Sequence, residues 1–303
     1  MDGAAVDEAD WDRLVAQLSR GDCTPFLGAG ACDGTLPAAA EMSSRWAGMY
    51  NYPFPDHYDL PRVMQYISIS DGDAIFVKEK VCEDFATRGQ PPFADSSEPH
   101  SLLAGFPVRV FITTNYDGFL TKALTLAGKS PKTITCPWYL PASADFAKFF
   151  ARVPSTPPPP QEPLVFHLHG SLTNPKSLVL TEGDYLEFLA NIAVSRTGDG
   201  TQLVPSIVLS AMTDYPLLFI GYSLQDWTFR VLFHGLLRAQ SEVLRRRSVS
   251  VQLPPPVNGT IMAAERRARE YMTRYLEGWS ISIFWGTAAD FCNQLRARMG
   301  RPV

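Results

Sequence analysis

This sequence of 303 residues contains no closely paired cysteines. Its five cysteines are Cys23, Cys32, Cys82, Cys136 and Cys292, and no two of them form a C-x-x-C pair. An odd, scattered set of cysteines in a large chain is typical of a reducing compartment. The pattern argues against a disulfide-stabilised fold and against a four-cysteine zinc site.

An excess of basic charge and a long apolar run are also absent. Lys and Arg total 27 against 31 acidic residues, which gives a net charge of −4 and disfavours direct nucleic-acid binding. No stretch reaches the roughly 18 uninterrupted apolar residues of a membrane-spanning helix. The acidic N-terminus lacks the basic and then apolar order of a signal peptide. We therefore expect a cytoplasmic protein that binds neither nucleic acid nor membranes.

What the sequence does contain is an alternation of strand-like and helical patterns, with enough apolar residues (46%) to fill a core. Seven strand candidates predict an α/β fold with a doubly wound, mostly parallel, Rossmann-like sheet. Residues from about 37 to 106 show helical patterns and no convincing strand, which predicts a small helical insertion within a single domain of residues 1–303. The strand candidates are 23–27, 108–112, 132–136, 164–168, 216–220, 248–253 and 280–285.

Four unusual segments each follow a predicted strand. Because the carboxyl ends of parallel strands lie along one edge of a sheet, and ligands bind in the crevice outside that edge, the four segments are expected to converge on one site. The segments are Gly28-Ala29-Gly30, Thr113-Thr114-Asn115-Tyr116-Asp117, His167-Leu168-His169-Gly170-Ser171 and Gly221-Tyr222-Ser223-Leu224-Gln225-Asp226.

The two glycine loops predict contacts with phosphate. Gly28 and Gly30 permit positive φ and a close backbone approach, so a phosphate can meet free N–H groups at a helix start. The full G-x-G-x-x-G fingerprint is absent, because the next glycine is Gly34, and a tight turn without a ligand is equally compatible with the sequence. Ser223 either contacts phosphate or ribose or, like Asp226, caps the following helix.

The polar residues at the other two strand ends are candidates for catalysis. Asp117 is expected to cap a helix, which leaves Asn115 to point its amide into the crevice. His167 and His169 are two residues apart, so they are predicted to share a sheet face with Val165. No third metal ligand accompanies the pair. His167 fits a buried, hydrogen-bonded imidazole, whereas His169 lies at the strand tip, where a base can meet substrate.

Taken together, the four segments resemble the sirtuin-like family. That family has a G-A-G loop, a T-x-N-x-D segment, a strand-end H-G that carries the catalytic histidine, and a G-[TY]-S-L segment, in the order found here. The variants F-L-G-A-G, T-T-N-Y-D, H-L-H-G-S and G-Y-S-L-x-D are similar to the bacterial branch linked to anti-phage defence. The protein deacylases of the family instead carry two C-x-x-C pairs around a structural zinc. Where the bacterial branch often has Ser, this chain has Cys32.

The resemblance implies that the chain binds NAD as a substrate and cleaves its nicotinamide–ribose bond without a metal. Asn115 would position the ribose or the attacking water, His169 would accept a proton, and Asp117 would help to hold the nicotinamide end. The rest of the NAD-binding set would be Gly28, Ala29, Gly30, Gly221, Ser223 and Leu224.

Three functions stay open at this point. The first is an NAD glycohydrolase that depletes NAD as a bacterial defence effector. The second is an NAD-dependent protein deacylase without structural zinc, and the third is a catalytically silent NAD-sensing module. The expected partners are further copies of the chain or a companion defence protein. The sequence does not distinguish hydrolysis from cyclisation or base exchange, and it does not identify a trigger.

Overall fold

Seven parallel strands form one sheet. The computed structural model describes residues 6–140, 148–149, 151–195, 203–222, 246–254 and 262–300. The strand order is β3-β4-β2-β1-β5-β6-β7, and every pairing is parallel. The predicted α/β fold with a doubly wound sheet is thereby confirmed. The strands are β1 (Thr24–Leu27), β2 (Val110–Thr113), β3 (Lys132–Thr135), β4 (Leu164–His167), β5 (Leu217–Ile220), β6 (Ser248–Gln252) and β7 (Ile281–Trp285).

Ten helices of the described part flank or extend this sheet. Four of them, α2 to α5, follow one another between β1 and β2, where the sequence predicts helices and no strand. The predicted helix at 226–240 lies outside the described residues. The helices are α1 (Glu8–Arg20), α2 (Ala39–Met49), α3 (Leu60–Asp71), α4 (Ala74–Ala86), α5 (Pro99–Ala104), α6 (Phe119–Leu126), α7 (Glu182–Ser195), α8 (Ser206–Thr213), α9 (Met262–Glu277) and α10 (Ala288–Met299).

The central strands are short apolar runs buried on both faces. All four residues of β1, β2, β4 and β5 are buried, which is why these strands read as continuous hydrophobic segments rather than as alternating ones. The edge strand β3 (sequence KTIT) begins with two exposed polar residues. A lysine on an edge strand discourages pairing with another chain.

The order of the strands reverses beside β1. This strand pairs with β2 on one side and with β5 on the other, and Leu27 lies opposite both Thr113 and Ile220. Such a switch point opens a crevice outside the carboxyl ends of the strands, because the connections on either side leave in opposite directions. The loops that follow β1, β2, β4 and β5 therefore meet there.

The helices between β1 and β2 pack against the rest of the fold through a third apolar cluster. Side chains of α2, α3 and α4 bury Leu178 and Leu180, which follow β4. An ion pair of 2.7 Å joins the buried Lys78 of α4 to the partly buried Asp184 of α7. Burial of such a pair costs desolvation energy, so removal of one partner would leave an uncompensated charge.

In the part of the chain that the structure describes, no helix combines the length and the apolar character needed to cross a membrane.

Candidate functional site

A cavity of about 270 Å³ lies outside the carboxyl ends of the central strands. All four predicted segments contribute to its wall, as the parallel sheet requires. Ser223 and Leu224 lie outside the described residues. The predicted site residues that line the cavity are Ala29, Asn115, Asp117, His169 and Gly221.

The rest of the cavity wall is mainly apolar, and part of it comes from the helices between β1 and β2. Met42, Leu60 and Phe85 contribute from these helices, and Tyr185 contributes from α7. Helix α7 is not among the elements predicted from the sequence. Its signal is the helical spacing of four apolar residues over one face, Tyr185, Phe188, Leu189 and Ile192.

Asn115 is held by its side-chain nitrogen. Nδ2 donates to the carbonyl oxygen of Gly28 at 3.1 Å and to Sγ of Cys32 at 3.3 Å. The backbone N–H of Asn115 donates to Oγ1 of Thr113 at 3.0 Å. Because both amide hydrogens have acceptors, the side-chain oxygen is the atom left to contact a ligand.

Asp117 has two separate contacts. Its Oδ1 accepts a hydrogen bond from the N–H of Phe119, the first residue of α6, at 2.9 Å. The N-cap position itself is Gly118 and not Asp117, which the sequence predicts, because the helix begins one residue later than a cap at Asp117 requires. Oδ2 of Asp117 accepts a hydrogen bond from the Cys32 thiol, with Sγ 3.4 Å away. Burial, followed by the charge of Asp117 and its hydrogen bond, raises the pKa of Cys32 well above the ordinary thiol value. The thiol therefore stays protonated at neutral pH.

The two histidines have different surroundings. His167 is buried, and its Nδ1 lies 3.0 Å from the carbonyl oxygen of Asn115, in agreement with the predicted hydrogen-bonded imidazole. The prediction that His169 shares a face with Val165 is wrong. Strand β4 ends at His167, so the alternation stops there, and His169 packs edge-on against Phe188 in the cluster on the opposite face from Val165.

His169 is a neutral, buried imidazole on the cavity wall. Only 4% of it is exposed, and its Nε2 has no hydrogen-bond partner among the described residues. The rings of Tyr185 and Phe188 lie 5.5 and 5.1 Å away. Burial lowers the pKa of His169 to about 3, since this apolar environment penalises the charged form.

The glycine loops do not have the backbone that the sequence analysis expects. Gly28 has a φ of −125°, and of the three loop glycines only Gly221 has positive φ, at +72°. The N–H groups of Gly28 and Gly30 donate to the carbonyl oxygens of Ile220 and Gly221, both at 2.9 Å. These two groups are therefore not free to bind phosphate, contrary to the prediction.

The glycines instead allow two loops to touch. A Cβ atom on Gly221 would lie 2.0 Å from the backbone nitrogen of Ala31, and one on Gly28 would lie 2.6 Å from the carbonyl oxygen of Gly221. Only glycine fits such distances. Gly30 also lines a neighbouring cavity of about 300 Å³ at the same edge, together with Glu98 and Thr287.

Comparisons with known proteins place the sequence in a family. The family profile described as SIR2-like domain matches residues 109–284, which is more than half of the chain. A protein of Cytobacillus dafuensis named NAD(+) hydrolase ThsA is 27% identical over 168 residues, which cover 55% of this chain and 28% of that protein. A protein of the same name from Enterococcus faecium is 22% identical over 221 residues, which cover 71% of this chain and 40% of the relative. The chain thus matches less than half the length of these relatives.

Proposed function

Because the chain belongs to the SIR2-like domain family, we propose that it is an NAD glycohydrolase that cleaves the nicotinamide–ribose bond. The observation that carries the proposal is the convergence of Asn115, Asp117 and His169 on one cavity at the switch point of the sheet. The relatives named NAD(+) hydrolase support the choice of substrate.

The proposed reaction converts NAD and water into ADP-ribose, nicotinamide and a proton. Loss of nicotinamide leaves a ribose with oxocarbenium-like charge, so the site must orient the ring and a water molecule rather than supply a strong acid. The apolar wall formed by Met42, Leu60 and Phe85 suits this task, because it limits the number of water molecules beside the reacting carbon.

Asn115 positions the ribose or the attacking water through its side-chain oxygen. Its Nδ2 is fixed by Gly28 and Cys32, so the amide cannot turn without losing two hydrogen bonds. A group fixed in this way loses little further freedom when substrate binds, which favours a productive geometry. Asp117, which shares Cys32 as a partner, holds the nicotinamide end of the cavity.

His169 accepts the proton that is released when water or a ribose hydroxyl attacks. The imidazole is neutral at physiological pH, and its Nε2 has no hydrogen-bond partner among the described residues, so this nitrogen is available to the proton. Because burial also makes the imidazole a weak base, the role requires the negative charge of bound substrate to raise its pKa. Ala29 and Gly221, with Ser223 and Leu224, hold the rest of the dinucleotide. Gly28 and Gly30 shape the loop that does so but donate no hydrogen bond to phosphate, because their N–H groups are used within the protein.

The test is nicotinamide release from NAD by the purified chain, with and without an acetylated peptide. Release without peptide is expected, and His169→Ala is expected to reduce it by about 10²–10⁴-fold, the usual contribution of a general base. His57→Ala is the matched control, because His57 is exposed and lies outside the cavity wall. It should leave the rate unchanged.

Two outcomes contradict the proposal. Release that strictly requires the peptide identifies a deacylase. Tight NAD binding with no release under any condition identifies a sensing module. ADP-ribose as the sole second product distinguishes hydrolysis from cyclisation or base exchange.

The proposal extends to the role of the chain in the cell. It is a single domain with helices α2 to α5 as an insertion, and it acts in the cytoplasm as a defence effector that depletes NAD. It acts as a homo-oligomer or with a companion defence protein. Large apolar side chains exposed around the insertion support such an interface, among them Phe54 (56% exposed) and Ile69 (72% exposed). Light scattering of the purified chain measures self-association directly.

A further inference from the structure

Beside the proposed catalytic residues, three buried side chains bring different metal-binding atoms together. They are Cys32, His100 and Asp117, and their donor atoms all lie within 4.8 Å of one another. Sγ of Cys32 is 4.0 Å from Nε2 of His100 and 3.4 Å from Oδ2 of Asp117. Thiolate, imidazole and carboxylate are the three kinds of ligand that Zn²⁺ takes in proteins.

The separations suit one ion. Zinc bonds of about 2.3 Å to sulfur and about 2.0–2.2 Å to nitrogen or oxygen, in tetrahedral geometry, place sulfur roughly 3.5 Å from the other ligand atoms. The two distances from Cys32 Sγ lie close to that value. The third pair, the donor atoms of His100 and Asp117, lies within 4.8 Å, so closing the site around the metal brings these two side chains together by up to roughly 1.5 Å.

A second set of contacts orients the ligands. Oε1 of Glu98 lies 2.5 Å from Nδ1 of His100, so a proton on Nδ1 leaves the lone pair of Nε2 directed towards Cys32. A carboxylate behind a ligating histidine is the usual arrangement in protein metal sites. The backbone N–H of Phe119 donates to Oδ1 of Asp117, which leaves Oδ2 facing Cys32.

The charge of this region favours a cation. Two acidic side chains are buried at the cluster: Asp117, whose Oδ2 is 3.4 Å from Sγ of Cys32, and Glu98, whose Oε1 is 2.5 Å from Nδ1 of His100. A bound cation would offset the cost of burying them.

We infer that Cys32, His100 and Asp117 form a zinc site with three protein ligands and a fourth position open to the cavity. Cys32 and Asp117 line the cavity, which supplies the route of entry. Binding forms a zinc–sulfur bond, and the thiol proton leaves to solvent. No metal is expected from the sequence, where His167 and His169 are the candidate ligand pair and lack a third ligand; His100 is distant from Cys32 in the chain, and only the fold brings the two together.

Zinc in this position is inhibitory, a consequence that rests on the proposed function. The metal takes Sγ of Cys32 and Oδ2 of Asp117, so Asn115 loses the sulfur that helps to fix its amide. The ion thus changes the orientation of the residue proposed to position the ribose or the water.

Cobalt titration tests the site without reference to NAD. Full-length protein freed of metal by a chelator is titrated with Co²⁺, and the thiolate-to-cobalt charge-transfer band is recorded. The expected result is saturation at one equivalent and displacement of Co²⁺ by Zn²⁺. Cys32→Ser should remove the band, whereas Cys82→Ser, a half-buried thiol outside the cluster, should retain it.

If Cys32→Ser does not fold, two other variants test the site: His100→Asn, which removes a ligand, and Glu98→Gln, which removes the carboxylate behind that ligand. Glu98→Gln should weaken zinc affinity by about 10–100-fold, the usual effect of losing a contact to a ligating histidine. Absence of the band in the wild-type protein, or its loss in Cys82→Ser alone, overturns the site. A chain that binds cobalt as described but does not cleave NAD contradicts only the proposed function.

Discussion

Two cavities of nearly equal size lie at opposite edges of the sheet. The cavity at the amino edge is about 280 Å³ and is lined by exposed polar residues such as Arg109, Ser206 and Asp214. The cavity at the carboxyl edge is about 270 Å³ and contains Asn115 and His169, exposed by only 9% and 4%. Volume therefore does not distinguish the two edges. The carboxyl edge differs in having the buried polar side chains Asn115, Asp117 and His169 in its cavity wall, whereas the buried polar side chain at the amino edge is Thr24, whose hydroxyl donates to the carbonyl oxygen of Ala211 at 2.7 Å.

The difference has a physical cause. Burying a polar side chain costs free energy unless it gains partners, so buried polar groups at a cavity indicate that the fold maintains them there. Exposed polar residues at the amino edge remain hydrated and carry no such cost. The parallel sheet accounts for the asymmetry, because all its strands end at the same edge.

Substitution of glycine should give the largest effect. Gly221→Ala is expected to lower the free energy of unfolding by about 2–5 kcal/mol, because positive φ costs about 1–2 kcal/mol and the overlap with Ala31 about 1–3 more. Gly34→Ala is the matched control, since Gly34 also has positive φ (+75°) but no atom within 4 Å of the added Cβ. Gly34→Ala should lower the free energy of unfolding only by the cost of positive φ, about 1–2 kcal/mol. Urea denaturation measures both.

A glycine at the amino edge, Gly21, provides a second control for Gly221→Ala, in both stability and NAD affinity. A Cβ on Gly21 would lie 2.3 Å from the carbonyl oxygen of Pro107, so Gly21→Ala should also destabilise the fold. NAD affinity per folded molecule should fall in Gly221→Ala and not in Gly21→Ala. Equal losses of affinity would mean that the two edges do not differ in function.

Replacing one polar residue in each cavity shows which cavity is needed for nicotinamide release. Asn115→Ala is expected to slow nicotinamide release by about 10²-fold, the usual result of losing the orientation of a reacting group. Arg109→Ala at the amino edge should leave the rate unchanged, because Arg109 is exposed and lies across the sheet from the site. A comparable loss in both variants would contradict the assignment of the carboxyl edge.

The dependence of stability on pH should give the smallest effect. Because burial lowers the pKa of His169 to about 3, the unfolded chain binds more protons below about pH 6.5. The free energy of unfolding should then fall by about 2 kcal/mol between pH 6.5 and 5 on account of His169, at about 1.4 kcal/mol per pH unit. Denaturation at pH 7 and 5 should show a smaller difference in His169→Gln than in the wild type. An unchanged difference would show that His169 is solvated.

Regular patterns of apolar residues in the sequence are sufficient to predict the class of fold. Short apolar runs such as that of β5 predict buried strands, and their alternation with helical segments predicts a parallel sheet. Helix α7 was missed although Tyr185 and Phe188 have helical spacing. The direction of His169 was also predicted wrongly, because the end of β4 at His167 depends on contacts with neighbouring strands and not on local pattern.

The class of fold and the residues at the strand ends follow from the sequence, because buried strands and the helices between them leave local patterns of apolar residues whose alternation is typical of a parallel sheet. How those residues contact one another, and which strands pair, depends on the tertiary structure, since β1 pairs with the distant β5. The tertiary structure placed Gly221 against Ala31, used the N–H groups of Gly28 and Gly30 within the protein, and brought His100 to Cys32. These contacts join residues distant in the chain, and only packing of the folded chain brings them together.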